Sequence, residues 1–346
     1  MKEKPSVLLI GGLPRPSGGV TVFLGRLVNH IGGDISFHVL DIHQGEKEPS
    51  KAKSHRIAPR NKIFKLLWLL WNILIFRGDI IHFNYSSCHG LIALALIPKL
   101  KRRFFITLHN GSQLEKLDAL GWLGLMLVRR GARKIDVAFS LCSNHCDIYR
   151  CLEVPSEKIV RTKTQIPPPH IKPLVVDEKH LALRSSCEKI IVSSGHVNRT
   201  YNFEFLISYI NSRPEVGGLL FFYGDHQDLK YLHELQESIK DCSRLLFYFH
   251  KDEKTFLSAL VCSDAYVRPT HVDSWGIAVA DAISLGVPAI ASGVCERSQG
   301  AVICSNTDFS SFADNLDLIL SGTNTLAQVK RSYANDFLVA YNNRQP

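Results

Sequence analysis

The chain has 346 residues, 45% hydrophobic and 21% charged; this composition excludes disorder and collagen-like periodicity, and the length calls for two domains of about 170 residues rather than one core. The net charge of +9 is unevenly placed: residues 1–170 hold 25 Lys/Arg against 12 Asp/Glu, a balance of +13, and residues 171–346 hold 16 against 20, a balance of −4. A basic half suits an anionic partner, and because no helix-turn-helix, zinc-finger or RNA-binding motif accompanies it, nucleic acid ranks behind anionic lipid and phosphorylated substrates.

Met1 to Pro5 leads straight into the apolar run Ser6 to Gly11, too short and wrongly flanked for a secretory signal, so a cytoplasmic protein is expected. Nine cysteines, an odd number, suit free thiols in a reducing compartment. Cys142, Cys146 and Cys151 with His145 match no common zinc spacing, and no metal site is expected.

In the first half, β-branched apolar runs at Ser6–Gly11, Ile35–Leu40, Asp79–Asn84, Arg103–His109 and Ile135–Ser140 alternate with helical stretches. That alternation predicts βαβ units, a parallel sheet, and binding at the carboxyl ends of the strands. After the first strand comes a loop from Gly11 to Val20, with Gly18 and Gly19 giving backbone amides close access to a ligand at a helix start. After the fourth strand comes the turn His109-Asn110-Gly111-Ser112.

Between these runs, Arg60 to Phe76 is apolar nearly all round, with Lys62, Lys65 and Asn72 on one narrow stripe. It is short of the roughly 20 residues that span a bilayer. Two readings remain: a helix buried against the sheet, or one lying at a membrane surface with Trp68 and Trp71 at headgroup level, aided by Lys51, Lys53, Arg56, Arg60, Lys101–Arg103 and Arg129-Arg130.

At Pro167-Pro168-Pro169 the helical patterns stop, which places a domain boundary there: an N-terminal domain of residues 1–168 and a second of 169–325. Strands are expected at Lys189–Gly195, Gly218–Gly224, Arg244–Phe249, Ala265–Arg268, Val287–Ala291 and Ala301–Cys304. A last helix from Leu326 to Tyr341, within residues 326–346, is expected to pack back across the junction.

The most specific segment runs from Val267 to Ser292: strand, loop, helix, strand, with Ser274 as the expected N-cap and Gly286 as the stop. Amides at Trp275, Gly276 and Ile277 then face a strand end and suit a diphosphate. Asp273 and Asp281 lie eight residues apart, about 12 Å along a helix axis, a span resembling that from a transferred sugar to a ribose.

This segment resembles the signature of glycosyltransferase family 4, which carries two acidic residues separated by seven around a helix entry. Here these are Asp273 and Asp281, with Ser274-Trp275-Gly276-Ile277 between. Gly18-Gly19-Val20 and His109-Asn110-Gly111 also resemble that family, so the likeness covers essentially the whole chain. It implies an α/β protein of GT-B fold, two Rossmann-like parallel-sheet domains facing a cleft, with the last helix returning toward the first domain. It further implies retaining, metal-independent, cofactor-free transfer from a nucleotide sugar, a UDP-sugar being expected. His109 and Asp273 would flank the transferred sugar, and Asp281 would hold the ribose. Gly18, Gly19, Arg199, Ser274, Trp275, Gly276, Ile277 and Arg297 would complete the donor site.

The chain departs from the family in three ways. Both acidic positions are aspartate where glutamate is usual. The usual phosphate-binding lysine is replaced by Tyr201 or Asn202, leaving Arg199 as the formal cation after the first strand of the second domain. Arg297 resembles a basic position in capsule and lipopolysaccharide relatives and would compensate in part. The expected acceptor is an oligosaccharide, lipid-linked at the inner membrane face. Two alternatives stand beside this: a GT-B nucleotide-sugar epimerase, and a degenerate GT-B protein that binds glycan or nucleotide without turnover.

Overall fold

A computed structural model describes every residue except 1–2, 45–46, 88–89, 110–116, 118, 225–227, 241, 323–330 and 344–346. The chain divides into two compact units. Met1–Arg15, Val20–Ile166 and Ser332–Pro346 form the first, and Pro16–Gly19 with Pro167–Arg331 the second.

In the first unit, β1 (Ser6–Gly11), β2 (Ser36–Asp41), β3 (Ser54–Ile57), β4 (Ile80–Tyr85), β5 (Arg103–Leu108), β6 (Val137–Ser140) and β7 (Ile159–Arg161) form one parallel sheet ordered β3-β2-β1-β4-β5-β6-β7. The helices are α1 (Gly19–Ile31), α2 (Lys62–Ile75), α3 (Gly90–Leu96), α4 (Trp122–Ala132) and α5 (Ser143–Cys151). Central strands read as unbroken apolar runs because both faces are covered. The sequence pattern misses β3 and β7, which are short edge strands of mixed exposure and give little hydrophobic signal.

The second unit repeats the plan with β8 (Lys189–Gly195), β9 (Val216–Phe222), β10 (Leu245–Phe249), β11 (Ala265–Arg268), β12 (Ala289–Ser292) and β13 (Val302–Cys304), ordered β10-β9-β8-β11-β12-β13 and all parallel. Its helices are α6 (Glu178–Ser186), α7 (Phe203–Ser212), α8 (Leu229–Ser238), α9 (Glu253–Val261), α10 (Ile277–Ser284) and α11 (Phe309–Leu320). Four of them open on an aspartate, Asp177, Asp228, Asp252 or Asp308, whose carboxylate accepts an amide of the first turn. Helix α10 does not.

In each sheet the chain leaves one strand in two directions. The switch lies between β1 and β4 in the first unit and between β8 and β11 in the second, which is where doubly wound folds take their ligands.

Helix α12 (Ala334–Asn342) belongs to the first unit although the second intervenes; residues 326–330 of the longer helix expected there lie outside the described residues. Strand residues alternate between faces. Phe83 and Phe104 join Leu91, Val128 and Tyr149 in one core, whereas His82 and Phe105 look the other way and meet Tyr341 of α12. There His82 Nδ1 lies 2.6 Å from the Tyr341 hydroxyl and its Nε2 2.8 Å from Thr107 Oγ1. Phe337 packs on Phe139 with centroids 4.3 Å apart. Thr162 Oγ1 donates to Asp336 at 2.8 Å, and the Tyr333 amide to the Gln165 carbonyl at 2.9 Å.

Helix α2 is inverted. It is not buried all round: Lys65 and Asn72 of its polar stripe face the protein, with Lys65 Nζ on the Ile42 carbonyl at 3.0 Å and Asn72 Oδ1 accepting from Arg56 at 2.8 Å, while Lys62 is exposed. Asn72 and Ile73 are its buried residues. Trp68 packs against the core, while Ile63, Phe64 and Trp71 are 71%, 63% and 64% exposed. No described helix is long and apolar enough to cross a membrane.

Candidate active site

At the switch point of the second unit, Arg268 closes the otherwise apolar strand β11 and is buried. Its Nε donates to Asp273 Oδ2 at 2.6 Å and its Nη1 to the Ser194 carbonyl, at the end of β8, at 3.2 Å. The same Asp273 oxygen accepts Arg297 Nη1 at 2.6 Å, and Oδ1 accepts the Ser274 amide at 2.9 Å. Arg297 also reaches the Ser292 carbonyl through Nε, the Trp275 carbonyl through Nη1, and Thr270 and Ser292 hydroxyls through Nη2. All three charged side chains are at least nine-tenths buried. Burial alone would raise the Asp273 pKa, but the two guanidinium groups outweigh it and hold the carboxyl well below the usual carboxylate range. Asp273 is therefore an ionised acid fixed by two arginines.

Helix α10 begins directly above this cluster. Its N-cap is Gly276, at φ +79°, rather than the expected Ser274. An added Cβ there would stand 2.6 Å from Arg297 Nη1 and 3.1 Å from Asp273 Oδ2, so only glycine fits. Hence Asp273 lies in the loop before the helix, and the 12 Å axial spacing expected between the two acids does not apply. Asp281 sits in the second turn of α10 and is buried. Gly276→Ala is expected to cost about 1–3 kcal/mol from backbone strain and the lost fit, read by urea denaturation; an unchanged midpoint would show that the loop relaxes freely.

The sequence reading missed Arg268, whose one signal is an arginine ending an apolar strand. Its guanidinium lies 5.2 Å over the Tyr201 ring, and Gly195 leaves space for that ring where a Cβ would come within 2.1 Å of it. Of the two residues expected at the lysine position, Tyr201 is thus an aromatic ring backed by a buried cation. Asn202 is left-handed, at φ 51°, and its side-chain Nδ2 donates to the Asn306 carbonyl. Arg199 pairs with Glu204 and Glu234 and lies over Tyr231. Arg297 is the second buried partner of Asp273.

Gly19, the last residue of the short Pro16–Gly19 piece grouped with the second unit, opens α1 with open space beside its Cα. His109 follows β5; its Nε2 is 3.0 Å from Asn84 Oδ1, and its ring lies 5.7 Å from Phe23. Burial first, then the neighbouring His145, pushes the His109 pKa down to about 3, so the imidazole is neutral at physiological pH. Asn110, Gly111 and Ser112 lie outside the described residues. Among the described residues, no three His, Cys, Asp or Glu side chains are grouped to hold a metal ion.

His82 is also pushed down to about 3, by burial and by His109. Both histidines are neutral when folded and take up protons near pH 6.5 when unfolded, so the unfolded state binds more protons as pH falls. Stability is therefore fully present above about 6.5 and is lost progressively toward pH 3. Unfolding followed from pH 7 to pH 4 should show a falling midpoint with proton uptake; a flat profile would contradict the burial of these rings.

Residues 178–335 match the model of a family described as Glycosyl transferases group 1. The match lies in the second unit, apart from its last few residues. No curated protein sequence matches the chain. Among solved structures, HepE of Anabaena in complex with UDP superposes with a TM-score of 0.69 at 13% identity, over 98% of this chain and 95% of that one. The catalytic domain of starch synthase IV from Arabidopsis thaliana, bound to ADP and acarbose, gives 0.71 at 12% identity, over 98% and 99%. The lipopolysaccharide outer core galactosyltransferase WaaB gives 0.59 at 12%, over 97% and 98%. These likenesses show the GT-B fold. The matched stretch includes β8 through β13, and with them the arginine-held Asp273 and helix α10.

Proposed function

We propose that the chain is a retaining, metal-independent hexosyltransferase of family 4 that moves a sugar from a UDP-linked donor to a lipid-linked glycan in bacterial surface polysaccharide synthesis, at the inner face of the cell membrane. The family match over the segment that holds Asp273 beneath α10 carries this reading. HepE has also been crystallised with UDP-glucose, and the WaaB likeness supports a surface-glycan acceptor. In this reading, Asp273 stands beside the transferred sugar, Asp281 holds the ribose, and the backbone from Ser274 to Ile277 receives the diphosphate with Arg268 behind it.

The test is a thermal-shift screen of UDP-, GDP-, ADP- and dTDP-sugars, since a ligand that binds only the folded chain raises its stability. UDP-sugars should give the largest rise, and consumption of the donor should survive EDTA. Asp281→Ala should weaken UDP binding about tenfold to a hundredfold through loss of charge-assisted hydrogen bonds; calorimetry showing unchanged affinity in a folded variant would remove the ribose role. The engagement of Arg199 by Glu204 and Glu234 favours a second reading, a binder without turnover. Slow donor hydrolysis by the purified chain distinguishes a transferase from that binder.

The inverted helix α2 supports the membrane assignment. An apolar face this exposed on a water-soluble surface calls for a partner, and exposed Lys51, Lys53, Arg56, Arg60 and Lys62 precede or open it, which suits anionic lipid. Trp122 of α4, 79% exposed, adds a further interfacial aromatic in the same unit.

A further inference from the structure

A buried charge cluster beside the loop that follows β1 has no role in the reading above. Asp41, the last residue of β2, is fully buried. Its Oδ1 accepts the His43 amide at 2.9 Å, and its Oδ2 accepts the Leu13 amide at 3.0 Å. The same Oδ2 lies 2.9 Å from His55 Nε2 and 3.1 Å from Lys47 Nζ. The Lys47 side chain is 7% exposed, and its ammonium also donates to the carbonyls of Arg15 at 2.6 Å and Leu13 at 3.4 Å. The Ile42 amide donates to the Gly11 carbonyl at 2.8 Å, and the Glu48 amide to the Pro14 carbonyl at 3.0 Å. Residues on the far side of β2 thus grip the loop at Gly11, Leu13, Pro14 and Arg15, just before it passes through Gly18 and Gly19 into α1.

Two physical points decide what this cluster does. An ammonium has three donors and no acceptor, and here they meet one carboxylate and two carbonyls of a single loop. A buried ion pair is a poor source of stability compared with apolar packing, and its use lies in fixing geometry. Secondly, in dinucleotide-binding βαβ units an acid about twenty residues beyond the glycine loop holds the ribose. Asp41, at the end of the second strand, directs its oxygens to the chain's own donors instead, so that position is turned from a ligand contact into a loop anchor.

We propose that Lys47, acting through Asp41 and the Leu13 and Arg15 carbonyls, is a positioning residue that sets the glycine-bearing loop at the start of α1 for sugar transfer. This rests on the transferase function proposed above. Amides that stabilise developing charge contribute only if their supports hold them to about 0.5 Å, and this loop has no regular secondary structure to hold it.

The test uses the full-length chain with Lys47→Met, Lys47→Arg and Asp41→Asn. The readouts are amide exchange of residues 11–20, donor consumption with the nucleotide sugar that the thermal screen selects, and the binding constant of the corresponding nucleoside diphosphate. Lys47→Met should speed exchange at Leu13 and the following amides and lower kcat about tenfold or more, with diphosphate affinity changed less than about threefold. Lys47→Arg, which keeps charge and donors, should recover part of kcat. Should Lys47→Met fail to fold, Asp41→Asn keeps an acceptor for the Leu13 amide, removes the ion pair, and is expected to give the same split between kcat and affinity. An active wild type with an equally active Lys47→Met, or a loss of kcat in Lys47→Met with loop exchange unchanged, overturns the positioning role alone. A wild type that consumes no nucleotide sugar overturns the transferase reading, and the positioning role with it.

Discussion

An Asp273→Ala variant is expected to lose about 3–5 kcal/mol of stability, because removing one member of a buried ion cluster leaves the others uncompensated. Here Arg268 and Arg297 would both be left buried without a carboxylate, and Asp273 is the one carboxylate that either meets among the described residues. The same change should abolish donor consumption, since in the proposed reaction Asp273 stands beside the transferred sugar. Denaturant unfolding and a donor-hydrolysis assay together separate the two effects. Asp273→Asn retains an acceptor for the Ser274 amide and should therefore fold better while remaining inactive. Full activity in Asp273→Asn would show that the carboxylate is only a strut between two arginines.

The second large effect concerns α2. Replacing Ile63, Phe64 and Trp71 together by serine should lower affinity for anionic vesicles at least a hundredfold, because burying a large apolar side chain contributes about 1.5–3 kcal/mol. The fold should tolerate the triple change, since these side chains point away from the core while Asn72 and Ile73 make the buried contacts. Vesicle sedimentation at low and high salt measures both components. Charge alone predicts complete release at high salt, and an inserted apolar face predicts partial release. A wild-type chain that ignores anionic vesicles at low salt would remove the membrane assignment and leave an acceptor in solution as the better account.

Strands flanked by turns and filled with β-branched residues were readable in the sequence: β1, β8 and β11 begin and end where the pattern of Ser6–Gly11, Lys189–Gly195 and Ala265–Arg268 places them. The edge strands β3 and β7 were not, since three or four residues of mixed exposure carry no periodic signal. At the site, the segment from Val267 to Ser292 was legible as strand, loop, helix and strand, but the cap was misread. Ser274 has the better capping side chain, yet Gly276 takes the position because the space over Arg297 and Asp273 admits no Cβ. The ion partners were beyond sequence reasoning for a related reason. Arg268, Asp273 and Arg297 are brought together by β11 and the loops after β11 and β12, and Arg199 finds two glutamates on neighbouring helices. The orientation of α2 was equally hidden, because a helix apolar on most sides does not announce which side meets the sheet.

Helix α12 has a consequence for biosynthesis. Phe337 and Tyr341 complete the aromatic layer over His82, Phe105 and Phe139, yet more than 160 residues of the second unit lie between them and the strands they cover. On the ribosome, the first unit therefore emerges with the patch of its sheet around His82, Phe105 and Phe139 uncovered by α12, and it stays so until the whole second unit has been made. A chain cut shortly before Ala334 would therefore lose contacts made by strands near its beginning, not only those near its end.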